Sequence, residues 1–191
     1  MYEEPQRLAI PFEHSKHPVD ILQGFHGPYT HFDGSVCKSL NLEYAVDFSL
    51  PVGALVLAAR SGMVKAISTY SCWSYVGKDV QRHIKDGGTN FICLAHDDGT
   101  TAVYSHLAFK GEMVYLDQYV EEGMPLARTG LSGALGPVPH LHFHVSRLEK
   151  GKTCTIPVSF KDYNGPLEHD EIFAAKNCVK RKISQLVSTV S

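Results

Sequence analysis

The chain of 191 residues lacks several features that would indicate particular functions. No apolar run approaches the roughly 18 residues that a membrane-spanning helix needs, so no membrane span is predicted. There is no basic excess, since the formal net charge is −2, and a nucleic-acid partner is therefore not expected. Residues 1–18 lack a basic segment followed by an apolar one, so no signal peptide is predicted.

Cysteine is present but not in the spacing of a thiolate site. The five cysteines include no Cys-x-x-Cys pair, which argues against a zinc knuckle or a thioredoxin-like motif. Buried or free thiols are the simpler interpretation, and they favour a reducing compartment. Hydrophobic residues make up 43% of the chain and charged residues 20%, the balance of an ordinary globular protein of one domain.

Short apolar segments separated by turn signals predict a mainly β fold. Residues 91–96 and 100–107, for example, flank Asp97-Asp98-Gly99, which is typical of a hairpin turn. Several such segments in succession indicate an antiparallel sheet or sandwich.

Three parts of the chain depart from this β pattern. Residues 1–23, which contain three prolines, are interpreted as an extended lead-in. Residues 70–89 show no clean period and are interpreted as a long loop that interrupts the sheet. Apolar residues recur at helical spacing near the C-terminus, which predicts a short helix within an extension of residues 166–191. Residues 24–165 are expected to form the domain itself.

Histidine is abundant, with 11 residues, and its placement is informative. His140, His142 and His144 alternate with apolar residues, and alternate side chains of a strand lie on the same face of a sheet. Three imidazoles on one face suit a metal better than a hydrophobic core, because neutral imidazole is the commonest histidine metal ligand. An exposed polar face is the alternative interpretation.

Two further segments carry side chains that a metal site requires. The same alternation places Tyr104 and His106 on one face of a strand, and it places Asp47 opposite the apolar Val46 and Phe48. A carboxylate on a half-buried strand needs a partner, because burying an unpaired charge is costly, and a metal ion is one such partner. Catalytic zinc takes three protein ligands and leaves a fourth position open, which one aspartate and two histidines would satisfy.

Taken together, these motifs resemble the M23 family of zinc metallopeptidases, the LytM/lysostaphin-type endopeptidases. The resemblance rests on the segment YAVDFSLPVG around Asp47 and on two His-containing pairs, Tyr104-x-His106 and His140-x-His142. It implies an antiparallel β-sheet core of the duplicated hybrid motif type, with a groove walled by loops. It also implies one zinc ion and the hydrolysis of peptide bonds, mostly in bacterial cell-wall cross-links.

Carried over residue by residue, the resemblance assigns roles to four positions of this chain. His106 and His140 match the catalytic histidines of the family. Asp47 and His142 match two of its zinc ligands. The pair of histidines would act as general base or stabilise the tetrahedral intermediate.

The first zinc ligand is where the chain departs from the common family pattern. The family usually has a histidine four residues before the aspartate, and this chain has Glu43 there. A variant of the family places the histidine further upstream, and the segment QGFHGPYTH, which ends at His31, looks like that variant. His31 is therefore the expected ligand, while Glu43, Cys37 and His26 stay open as alternatives.

Four residues are candidates for contact with substrate in the groove: Tyr104, His144, Trp73 and Tyr75. His144 stands where the family usually has an acidic residue, and it is either a group that supports a ligand or an exposed side chain. Trp73 and Tyr75 lie in the loop of residues 70–89, and they either pack on substrate or anchor that loop to the core.

The sequence therefore predicts a zinc-dependent endopeptidase that acts on peptidoglycan stem or cross-bridge peptides, or on another peptide. The alternative is a catalytically inactive LytM-like module that binds or regulates the cell wall. Phosphoryl transfer by paired histidines is a third and less favoured reading. A cell-wall substrate implies the cell envelope or secretion, whereas the thiols favour the cytoplasm, so the compartment and the oligomeric state stay open.

Overall fold

The computed structural model describes residues 6–13, 19–72, 74–75, 88–135, 138–161, 163, 167 and 181–182. Within these residues the backbone forms seventeen strands and no helix, so no helix there is able to cross a membrane. The strands are β1 (Gln6–Leu8), β2 (Asp20–Gln23), β3 (Leu40–Asn41), β4 (Val46–Ser49), β5 (Leu55–Leu57), β6 (Gly62–Ser68), β7 (Ser74–Tyr75), β8 (Phe91–Ala95), β9 (Thr101–Ser105), β10 (Leu107–Glu112), β11 (Tyr119–Val120), β12 (Pro125–Thr129), β13 (Gly133–Ala134), β14 (His140–Glu149), β15 (Lys152–Thr155), β16 (Val158–Phe160) and β17 (Arg181–Lys182).

One large sheet organises the molecule. Its strands follow the order β11-β6-β8-β9-β14-β4-β2-β17, and every neighbouring pair in that order is antiparallel. At the far end of β14, β15 pairs with it antiparallel and β3 pairs with β15 in parallel. A second, antiparallel sheet has the order β10-β12-β5. The mainly antiparallel β fold predicted from the turn signals is confirmed.

The central strand β14 shows why these residues form a sheet with two different faces. Leu141, Phe143 and Val145 are fully buried in the hydrophobic core. The histidines that alternate with them must then lie on the opposite face, because successive side chains of a strand point to opposite sides. The sheet therefore separates an apolar core from a layer of imidazoles.

The hairpin predicted at Asp97-Asp98-Gly99 is also confirmed. It joins the antiparallel neighbours β8 and β9, and the His96 amide donates to the Thr100 carbonyl at 2.8 Å. Gly99 has a φ of 80°, a left-handed conformation that glycine adopts without steric cost.

The described part of the N-terminal lead-in is built into the core. Leu8, Ile10 and Phe12 are at most 5% exposed, and β1 pairs in parallel with β16. Most of residues 166–191 lies outside the described part of the chain, so the helix predicted there stays a prediction. The two described residues near its middle, Arg181–Lys182, pair with β2 as a strand. The division of the chain at residues 23 and 165 likewise stays a prediction.

Candidate metal centre

Three donor side chains converge at one end of the β4–β14 pair. His142 lies directly opposite Asp47 in the antiparallel register, and His142 Nδ1 is 2.8 Å from Asp47 Oδ1. A turn after β2 carries His31 to the same place, with its Nε2 3.3 Å from Asp47 Oδ1. All three side chains are buried, and one ligand atom of each lies within 4.8 Å of the others. Tetrahedral zinc with bonds of 2.0–2.1 Å separates its ligands by about 3.3 Å, so these spacings suit the metal.

His31 carries an unused donor atom. Its Nδ1 lies 2.9 Å from the Gly24 carbonyl, and since a carbonyl only accepts, Nδ1 must hold the proton. In the neutral ring the lone pair is then on Nε2, which is fully buried and makes no hydrogen bond with any residue that the structure describes. An unpaired buried polar atom costs free energy, and coordination of a metal at Nε2 would remove that cost. The donor set of two imidazoles and one carboxylate is one that zinc accepts.

The alternative first ligands do not reach this point. The Glu43 carboxylate accepts a hydrogen bond from Asn41 Nδ2 at 3.0 Å. Cys37 is an exposed free thiol, and His26 is exposed as well. Within the described ranges, none of the three belongs to the group of converging donors. The geometry therefore favours His31.

The protonation states at the centre are those of metal ligands. Burial alone would raise the pKa of Asp47, but His31, His140 and His142 around it hold that pKa well below the usual range. Burial also lowers the pKa of His142, although Asp47 opposes this shift. The carboxylate is thus ionised and the imidazole neutral, the forms in which both groups bind a metal.

His144 supports His142 from the side away from Asp47. His144 Nδ1 is 3.0 Å from His142 Nε2, and His144 is only 6% exposed. If His142 ligates through Nδ1, its proton must lie on Nε2, and His144 Nδ1 is placed to accept that hydrogen bond. Burial, and then the neighbouring His142, keep the pKa of His144 well below its ordinary value. Of the two interpretations from the sequence, the exposed side chain is wrong, and contact of His144 with substrate stays a prediction.

A second pair of histidines lies beside the converging donors. The rings of His106 and His140 have centroids 4.6 Å apart, and both side chains are buried. His106 Nδ1 lies 2.8 Å from the Ser132 carbonyl, and His140 Nδ1 lies 2.9 Å from the Val138 carbonyl. Each Nδ1 therefore donates its proton, so in the neutral form of either ring the lone pair is on Nε2.

The prediction that Tyr104 shares a face with His106 is wrong. Tyr104 is fully buried in the core, with its ring 5.2 Å from that of Phe143, and its hydroxyl accepts from the Ala59 amide. It therefore lines no groove. The alternation fails because β9 ends at Ser105, and His106 has a φ of 62°, a left-handed conformation uncommon outside glycine. That backbone turn returns His106 to the face of the metal centre.

The residues that hold His106 in this conformation were not predicted. The Gly130 amide donates to the His106 carbonyl at 2.7 Å, while Ser132 accepts from its ring. Asn90, fully buried, donates from its side chain to the Leu107 carbonyl at 3.1 Å. No local spacing marks these partners, because they come from segments distant in the chain.

The two aromatic groove candidates are described only in part. Trp73 lies outside the described residues, and of Tyr75 the structure describes the backbone, which pairs β7 with β13. Their contact with substrate stays a prediction. The β7–β13 pair does bring the backbone of this loop beside Gly133, next to Ser132, whose carbonyl anchors His106.

The comparison with known families agrees with this geometry. The profile of peptidase family M23 matches residues 41–154, which is more than half of the chain. The chain belongs to peptidase family M23. The match contains every residue of the centre except His31, which precedes it.

Solved structures of other M23 proteins are similar to this M23 chain. Pseudoalterin, an M23 metalloprotease from the deep sea, is 16% identical with a TM-score of 0.54, over 92% of this chain and 94% of pseudoalterin. The catalytic domain of lysostaphin, an antimicrobial peptidase from Staphylococcus simulans, is 24% identical with a TM-score of 0.48, over 75% of this chain and 95% of that domain.

A zinc-containing peptidase from Vibrio cholerae is 23% identical with a TM-score of 0.49, over 78% of this chain. This M23 chain spans only 39% of that protein's length. No curated protein sequence matches the chain.

Proposed function

We propose that this M23 peptidase is a zinc-dependent endopeptidase that hydrolyses peptide bonds in the stem or cross-bridge peptides of peptidoglycan. One observation carries the proposal: the donors of His31, Asp47 and His142 converge in a buried site, and His31 Nε2 has no hydrogen-bond partner among the described residues. These three residues would hold one zinc ion. Zinc bound there supplies a Lewis acid that polarises a carbonyl and lowers the pKa of water.

His106 and His140 supply the proton transfers. Burial, and then His140 and His142 nearby, lower the pKa of His106 to about 3, so its ring is neutral at neutral pH. His140 Nε2 lies 3.8 Å from Asp47 Oδ1, at the edge of the converging donors. We assign to His140 the removal of a proton from the attacking water, and His106 assists from the adjacent position.

The proton balance of the reaction needs only these rings. A C–O bond forms between water and the carbonyl carbon while one water proton passes to His140 Nε2. The C–N bond then breaks, and that proton passes to the departing amine. Proton transfer by a positioned side chain of this kind contributes roughly 10²–10⁴-fold to the rate.

The peptidoglycan substrate comes from the family resemblance, since M23 members mostly cleave cell-wall cross-links. The test is to incubate the purified zinc-loaded protein with peptidoglycan sacculi and to identify the released fragments by mass spectrometry. A chelator added in parallel should stop the release, and zinc added back should restore it. The His140→Ala variant is the matched control, because it should keep the metal and release no fragments.

Fragments with a new peptide amino terminus would support the proposal and identify the bond. Absence of such fragments from protein that carries one zinc per chain would contradict the peptidoglycan substrate. A protein that binds no zinc would contradict the metallopeptidase itself.

A further inference from the structure

We propose that Gln23 is a positioning residue of the metal centre. Its side chain holds Asp47 so that only Oδ1 is presented to a metal, and it joins that carboxylate to the turn that carries His31. The inference rests on the proposed zinc site. Gln23 precedes residues 41–154, so the family match assigns it nothing.

The orientation of the Gln23 amide is set by backbone groups. Its Oε1 accepts hydrogen bonds from the Tyr29 amide at 2.8 Å and from the Thr30 amide at 3.0 Å. Backbone N–H groups can only donate, so the oxygen of the amide must face the turn. The nitrogen of the amide must therefore face the other way.

On that other side, Gln23 Nε2 donates to Asp47 Oδ2 at 3.1 Å and to Thr30 Oγ1 at 2.9 Å. Gln23 is also the direct register partner of Asp47 across the β2–β4 pair, and it is only 4% exposed. Both protons and both lone pairs of the amide are thus used in a buried place. A fully satisfied buried amide is rigid, because any rotation would leave polar atoms unpaired.

The two oxygens of Asp47 consequently face different partners. Oδ1 faces the nitrogens of His31 and His142, at 3.3 and 2.8 Å, while Oδ2 faces Gln23. A carboxylate with one oxygen engaged in this way binds a metal through the other oxygen alone. One-oxygen binding keeps the fourth position of a tetrahedral site open for water or substrate.

The same amide couples this carboxylate to the first ligand. Thr30, which bonds to Gln23 through both its amide and its hydroxyl, immediately precedes His31. Gly27 of the same turn lies against the Gln23 stem, where a Cβ would approach Gln23 Cγ to 2.1 Å. The turn thus packs against the Gln23 side chain, and this contact fixes the position of His31 relative to Asp47.

The decisive variant is Gln23→Glu, which keeps an oxygen for the Tyr29 and Thr30 amides but replaces the donor to Asp47 by a second oxygen. The matched control is Gln6→Glu, because Gln6 Nε2 donates to Asp98 Oδ2 at 2.7 Å in an exposed position away from the centre. Zinc dissociation constants are measured by competition with a chromophoric chelator, and the visible spectrum of the cobalt-substituted protein reports the coordination. Circular dichroism of the metal-free variants reports folding.

Gln23→Glu should weaken zinc binding by roughly 10- to 100-fold, the usual effect of losing a partner of a metal ligand. Its cobalt spectrum should change, because Asp47 is released to bind through both oxygens. Gln6→Glu should change neither. A Gln23→Glu protein with the zinc affinity and cobalt spectrum of the wild type would overturn the inference alone. A wild type that binds no zinc would overturn the proposed function as well.

A measurement on the unaltered protein covers the case in which Gln23→Glu does not fold. The side-chain amide protons of Gln23 should exchange slowly with solvent and shift in the NMR spectrum when zinc is added. Rapid exchange with no response to zinc would overturn the inference.

Discussion

Two aspartates of this molecule are kept ionised by different neighbours. Asp47 is buried on β4, whereas Asp98 lies in the turn between β8 and β9 with its side chain 35% exposed. Burial by itself would raise the pKa of both, and in both cases the neighbouring groups bring it below the usual range. For Asp98 these neighbours are the Thr100 side chain and amide and the guanidinium of Arg60, which lies at 2.5 Å.

The difference between the two sites is the presence of a permanent cation. Arg60 is always charged, so the Asp98 carboxylate is balanced within the chain. The ion-pair partners of Asp47 are all histidines in the part of the chain that the structure describes, and the pKa of His142 is lowered by burial. A buried carboxylate without a counter-charge is costly. The charge of Asp98 is therefore balanced by Arg60, whereas the charge of Asp47 would be balanced by a bound cation.

The largest expected effect follows from neutralising each carboxylate in turn. Asp47→Asn keeps the shape of the side chain but should abolish stoichiometric zinc binding and lower kcat/KM by roughly 1,000-fold or more, because a metal Lewis acid contributes several kcal/mol. Asp98→Asn should leave both quantities unchanged. Zinc content by elemental analysis and peptide hydrolysis are measured on the same preparations. Equal zinc content in the two variants would remove the distinction between the sites.

The next effect separates holding the metal from moving a proton. His140→Ala should retain one zinc per chain and lower kcat/KM by roughly 10²–10⁴-fold, because it removes the ring nitrogen that is placed beside the ligands to accept a proton. Zinc content and kinetics are again compared. His26→Ala, which alters an exposed histidine, should change neither. Loss of zinc from His140→Ala would show that His140 is a ligand and not a base.

A smaller effect tests the support of a ligand. His144→Ala should weaken zinc binding by roughly 10- to 100-fold, because His142 Nε2 loses its hydrogen-bond acceptor. His144→Gln, which restores an acceptor oxygen, should recover part of that affinity. The control is His96→Ala, another buried histidine, whose Nδ1 bonds to the Ser61 carbonyl away from the centre. Equal zinc affinity in His144→Ala and His96→Ala would limit His144 to a packing role.

Part of this site could be predicted from the sequence. Strand alternation on β14 correctly gave one apolar face and one face of imidazoles, because burial of Leu141, Phe143 and Val145 fixes which face is which. The same rule failed at His106, where a left-handed residue ends the alternation. Local periodicity carries no information about such a backbone conformation.

Long-range hydrogen-bond partners were equally inaccessible from the sequence. Asn90 has no spacing or composition that distinguishes it from a surface amide, and the segment QGFHGPYTH, which begins with Gln23, gives that residue no role. Their roles arise because strand pairing brings Gln23 opposite Asp47, and because Asn90 donates to the carbonyl of Leu107, the residue that follows His106. Only the folded topology reveals that each amide supports a different part of the centre.

The smallest expected effect concerns Asp98 and stability alone. Because the folded-state pKa of Asp98 lies below its ordinary value of 3.8, the ionised form stabilises the fold above that pH, and this contribution is lost as the pH falls through the folded-state pKa. The Arg60 and Asp98 side chains are 30% and 35% exposed, so solvent screening limits the contribution to about 1 kcal/mol or less. Asp98→Asn should lower the free energy of urea unfolding by that amount at pH 7, and by less at pH 3. If the loss of unfolding free energy in Asp98→Asn were the same at pH 7 and pH 3, it would be assigned to the turn contacts with Thr100. The comparison between Asp47 and Asp98 would then hold for their hydrogen bonds and not for their charges.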